Sequence, residues 1–126
     1  MGGFMTFSGQ HKKLYWVASS KKDLMALPLD VQHVFGFALH LAQEGGRHVH
    51  SKILKGFSGA GVLEVVEDHE GNTFRAVYTV RFGNAVYVLH CFQKKSRTGI
   101  KTPESDIALV RMRLRLAQQH SEGQIP

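Results

Sequence analysis

The stretch Asn72–Lys95, NTFRAVYTVRFGNAVYVLHCFQKK, decides the fold of this chain. Two alternating apolar runs meet at Gly83-Asn84, a pair suited to a tight hairpin turn. The turn sets a register, and the register sets which residues share a face. Placing Phe82 opposite Ala85 pairs Val80 with Tyr87, Tyr78 with Leu89 and Ala76 with Cys91. With Phe74, these residues form one apolar face, expected to be the core side. The other face carries Arg81 by Val86, Thr79 by Val88, Val77 by His90 and Arg75 by Phe92, and Lys94 and Lys95 follow at once. A guanidinium, an imidazole and an aromatic ring on the face turned away from the main core suit a nucleic-acid backbone and a base.

Upstream of the hairpin, 61–67 reads as a further strand with Leu63 and Val65 in the core. A four-residue loop, Asp68 to Gly71, would set Glu64 opposite Arg75. A five-residue loop would drive the Glu64 carboxylate into the core without a partner, so the shorter loop is expected. The residues from Arg47 to Gly61, rich in Gly, Ser, His and Lys, read as loop. Before them, KLYWVA (13–18) reads as a short strand, and Ser19-Ser20 opens a first helix with Leu24 and Leu27 inward. Pro28 starts a second helix whose stripe is Val31, Phe35, Ala38 and Ala42, ended by Gly45-Gly46.

Downstream, 96–101 is a basic linker. Thr102-Pro103-Glu104 supplies an expected cap, a proline in the first turn and an acidic residue for the last helix. Its stripe is Ile107, Val110, Leu114 and Ala117, with Arg111, Arg113 and Arg115 around it. The expected fold is α+β in the order β-α-α-β-β-β-α. It has a small, mainly antiparallel sheet, two N-terminal helices on one face and a C-terminal helix. The expected organisation is a flexible start (1–12), a single domain (13–120) and a frayed tail (121–126).

The bulk numbers limit the function. At 126 residues the chain holds one core, and its hydrophobic fraction of 43% is ordinary for a globular protein. No apolar run approaches the ~20 residues of a membrane span. The first residues, MGGFMTFSGQHKK, lack the pattern of a secretory leader. Cys91 is the single cysteine and falls on the core face, which suggests a reducing cytoplasm and argues against a cysteine nucleophile. The net charge of +6 is uneven: eight Lys or Arg between Arg81 and His120 face only Glu104 and Asp106. Such an excess fits RNA, DNA or an acidic protein as partner, or a solvated basic face. The pair His48 and His50 has the HxH spacing of metal ligands, but no second ligand group follows and a metal site needs three or four. The run GFSGAG (56–61) does not open a helix, so it is not a phosphate-binding loop. No cofactor is expected.

The segments FRAVYTV and VYVLHCFQKKSRTGIKTPESDIALVRMRL resemble the RelE/ParE superfamily of bacterial toxins, most closely its HigB-like, phage-derived members. The likeness is specific over Thr73 to Leu116; over Lys13 to Gly61 only element order and composition agree. It implies a RelE-like fold, cleavage of mRNA on the ribosome, and silencing by an antitoxin that commonly carries a helix-turn-helix domain. Arg75 matches the strand arginine that contacts the substrate phosphate in such toxins. Phe92, Lys94 and Lys95 match the segment that keeps cationic cleft residues, and Glu64 falls where many HigB-like chains carry a glutamate. No tyrosine follows Tyr87, unlike RelE proper, so the general acid and base do not carry over.

RNA cleavage needs a base for the 2′-hydroxyl, cations around the phosphorus and an acid for the leaving 5′-oxygen. Arg75 suits the phosphate, since a guanidinium binds its oxygens bidentately, and Lys94 and Lys95 add charge. His90 is the expected imidazole for proton transfer. Glu64 is expected to orient Arg75, and Phe92 either lies under the last helix or stacks on a base. Lys52, Lys55, Arg97 and Lys101 are candidates for extending the phosphate track, each equally readable as solvated charge.

Overall fold

A computed structural model describes residues 11–59, 61–94 and 102–126. Its elements run β1 (Lys13–Trp16), α1 (Ser20–Met25), α2 (Leu29–Gln43), β2 (Ser51–Ile53), β3 (Val62–His69), β4 (Asn72–Thr79), β5 (Ala85–Gln93) and α3 (Glu104–Ser121). Five strands form one sheet in the order β1-β5-β4-β3-β2. β1 runs parallel to β5 and the other neighbours are antiparallel, so the α+β fold has a small mixed sheet with three helices. This agrees with the expected RelE-like architecture, with one element added. The strand β2 lies inside a stretch that composition reads as loop, and it pairs Lys52 with Glu64. A strand of three residues is too short for apolar alternation to register.

The sheet is packed on both faces. On one side α1 and α2 set Leu24, Val31, Phe35 and Leu39 against Val65, Tyr78 and Val88. The stripe expected on α2 is the buried one, and Gly45, with φ +89°, follows its C-cap. On the other side α3 lays Val110 and Ala117 over Val62, Val77, Leu89 and Phe92. The face expected to look away from the core is therefore a second core. The alternation along β4 and β5 distinguishes two faces; it does not say that one of them is wet.

The hairpin register also differs from expectation. Phe74 to Val77 pair with Gln93 to His90 as the sequence suggests, but beyond Val77 the ladder shifts by one and Tyr78 lies beside Val88. This irregularity is a β-bulge. It leaves Leu89 fully buried within the α3-side cluster, and it brings His90, next in sequence, to the same side, where its ring bonds Asp106 of α3. The turn between β3 and β4 is tighter than expected, with His69 paired to Asn72 and Glu70 and Gly71 at φ +50° and +82°. Two successive positive φ values are those of a type I′ hairpin. Glu64 therefore pairs with Val77, and Arg75 is its diagonal neighbour on the same face.

One expected cap is replaced. Pro103 is the N-cap of α3, with no side-chain cap hydrogen bond, and the Thr102 hydroxyl turns to the sheet instead. Arg113, one of the three arginines around the stripe, is buried. It donates to the Leu89 carbonyl at 2.9 Å and the Ser19 hydroxyl at 2.9 Å, and lies 3.5 Å from Asp23, tying α3 to β5 and α1. After Ser121 the chain folds back, and the Gln124 amide donates to the Gln119 carbonyl at 2.9 Å. No helix among the described residues is long and apolar enough to cross a membrane.

Candidate nucleic-acid interface

β2 supplies Lys52, β3 supplies Glu64, β4 supplies Arg75, and the end of β5 delivers Lys94 beside them. Lys94 is held by its backbone, whose amide donates to the Thr73 carbonyl at 2.8 Å. At the centre is a buried ion pair: Arg75 Nη1 donates to Glu64 Oε1 at 2.7 Å, and each residue is only 3% exposed. Thr102 closes the cluster, accepting from Arg75 at 3.1 Å and donating to Glu64 at 3.3 Å. Lys52 Nζ stands 4.0 Å from Glu64 Oε2 on the solvent side. Glu64 thus orients Arg75, as the sequence suggested, although the two are not directly opposite.

Arg75 forms part of the floor of an open cleft of about 640 Å³. His50, Lys52 and Lys94 line its cationic part, while Glu67 and Asp68 stand on its acidic rim. Lys94 holds its proton less tightly than an ordinary lysine. Partial burial is the main cause, and the nearby charges of Arg75 and Lys52 act in the same direction against the opposing pull of Glu64. The cleft therefore gathers a guanidinium, two ammonium groups and an imidazole beside two carboxylates.

Two expected members lie elsewhere. His90 is 7% exposed, and its Nε2 is 2.8 Å from Asp106 Oδ1 of α3. Phe92 is 8% exposed and stacks on His90 with ring centres 4.4 Å apart. Both are sealed beneath α3, so Phe92 takes the helix-covered alternative and is not an open platform for a base. Lys55 lines a neighbouring groove rather than the cleft. Lys95, Arg97 and Lys101 lie outside the described residues.

The residue that sequence reasoning missed is His50. Considered only as half of an HxH metal pair, it stands in the cleft, its Nδ1 3.3 Å from Glu67 Oε1. Among the described residues, no group of three or more His, Cys, Asp or Glu is placed to hold a metal. The available signal was its position just before β2, two residues ahead of Lys52.

The fold and the cleft define a small α+β protein with an open cleft of mixed charge floored by a buried Glu–Arg pair. The chain belongs to the phage-derived Gp49-like protein family (DUF891), whose model matches residues 22–115. That family has a RelE/toxin-like character, in keeping with the resemblance carried by the C-terminal half. Searches of curated proteins and of solved structures each returned no match.

Proposed function

We propose that this chain is the HigB-like toxin of a type II toxin–antitoxin module, an endoribonuclease that cleaves mRNA without a metal and with the help of the ribosome. The observation that carries the reading is Arg75, fixed by Glu64 and Thr102 at the floor of a cleft also lined by Lys52, Lys94 and His50. The ribose 2′-oxygen attacks phosphorus and the bond to the 5′-oxygen breaks, leaving a cyclic phosphate and a free 5′-hydroxyl. Arg75 and Lys52 hold the phosphoryl oxygens as charge grows on them. His50 takes the 2′-hydroxyl proton; Glu67 occupies its Nδ1, which leaves Nε2 for the transfer. Lys94, whose lowered proton affinity makes it a better donor than an ordinary lysine, protonates the 5′-oxygen.

Exposed Met25, Leu29 and Phe37 on α1 and α2 give a cognate antitoxin apolar surface to bury. A helix-turn-helix neighbour that co-purifies and restores growth is the expected partner.

Burial of His90 and Phe92 favours one other reading, a non-cleaving module of the same fold that blocks its target by binding, as a gyrase inhibitor does. Primer extension on cellular mRNA after induction separates the two. New 5′ ends in the wild type that vanish in Lys94→Ala and Arg75→Lys support cleavage. Growth arrest with no new ends supports blockade.

A further inference from the structure

Beside the catalytic cleft runs a second groove of about 340 Å³, and it is built differently. Its floor is apolar, from buried Leu54 and half-exposed Ile53 and Ile107. Its rim is charged, from Lys52, Lys55, Arg111 and Glu104. Lys52 borders both spaces, and the Glu64–Arg75 pair separates them, Glu64 lining the groove and Arg75 the cleft. A strand whose phosphate rests on Arg75 passes Lys52 to reach the groove. The volume is at the small end of the roughly 300–1,000 Å³ of ligand pockets, room for one nucleotide and not for a run of them.

The rim on one side is fixed. Arg111 lies 4.8 Å over the Phe57 ring and its Nη1 donates to the Gly56 carbonyl at 3.2 Å. Gly56 has φ +96°, a conformation other residues rarely adopt. Glu104 is different: among the described residues its carboxylate makes no hydrogen bond or ion pair, although basic side chains share the rim. A carboxylate only accepts hydrogen bonds. An apolar floor takes the flat face of a base, cations hold its phosphate, and an exposed carboxylate on the rim selects a base edge with adjacent N–H donors. The Watson–Crick edge of guanine presents two such donors side by side.

We propose that this groove is a base-recognition subsite for one nucleotide of a single-stranded RNA, with the Glu104 carboxylate selecting guanine next to the phosphate held by Arg75. For its substrate this rests on the endoribonuclease reading above.

The test has two arms. In the first, cut sites are mapped by 5′-end sequencing after induction of wild type, Glu104→Gln and Arg111→Ala. Wild-type cuts should be enriched for guanine at one position flanking the scissile bond, and Glu104→Gln should reduce that enrichment about tenfold, the scale of one bidentate base contact. An unchanged base distribution in Glu104→Gln overturns the subsite and leaves the endoribonuclease reading standing. In the second arm, purified protein is titrated with 2′-O-methyl trinucleotides, which resist cleavage, carrying guanine or adenine at the centre. Tighter binding of the guanine form, lost in Glu104→Gln, supports the subsite even if no cellular cuts appear. Equal binding of both forms by the wild type overturns it. Glu104 and Arg111 are exposed, so thermal melts should show both variants folded.

Discussion

At Glu64 and Arg75 the sequence places two opposite charges in a protein interior, where neither is tolerable alone. Removing one partner of a buried pair leaves an uncompensated charge, at a cost of about 3–5 kcal/mol. Arg75→Ala should therefore lower stability by that amount, so its loss of activity alone proves little about catalysis. The pair of changes Glu64→Leu with Arg75→Met should recover most of that stability in urea melts while remaining inactive in cells. If the double variant is as unstable as Arg75→Ala, the pair has been misjudged as a local charge problem. Lys94 permits a second check. A lysine with lowered proton affinity binds fewer protons folded than unfolded just below its ordinary value of 10.5, so folding gains stability as pH rises through that window. The gain is small because solvent still screens the half-buried side chain, and the titration itself is the better measurement. Following its resonances by NMR, the Lys94 midpoint should lie below the ordinary lysine value of 10.5. It should move up in Lys52→Ala, which removes a repelling charge, and down in Glu64→Gln, which removes an attracting one.

The helix α3 shows how far periodicity alone can be trusted. Its stripe was legible, but depth within the stripe was not: Val110 is fully buried and Leu114 only half so. Val110→Ala should cost about 2 kcal/mol or more, and Leu114→Ala less than the ~2–5 kcal/mol of a fully buried leucine. Chemical denaturation of both variants checks the order. The same limit explains what the strands concealed. Alternation in Thr73–Gln93 assigned Arg75, Val77, His90 and Phe92 to one face correctly, because side-chain parity is a local property. Whether that face meets water or a helix depends on where α3 lands, which no local pattern encodes. The bulge at Leu89 was likewise hidden, since both registers bury apolar side chains. β2 was hidden because three residues carry too little alternation, and His50, which immediately precedes it, was hidden with it.

Seen whole, the molecule is a sheet closed between two helical layers, and its only thiol sits in the middle. Cys91 is 3% exposed and packs in the α1–α2 side core. Burial pushes its pKa up to about 12. A thiol reagent at neutral pH should therefore label the protein only as fast as the whole sheet opens. Labelling rate and global unfolding rate should coincide across a denaturant series, and rapid labelling of native protein would show the sheet opening locally.

The connectivity has a further consequence, in time rather than in space. β1, the first strand made, waits for β5, since Lys13 lies beside Ala85. Contacts between such distant stretches close slowly and late. The cleft waits longer still: Thr102, which braces both Glu64 and Arg75, emerges after every strand has been synthesised. During translation, then, each unfinished copy lacks the brace that fixes its own guanidinium. A half-made chain therefore holds Glu64 and Arg75 without their third partner, and the floor of the cleft is complete only near the end of synthesis.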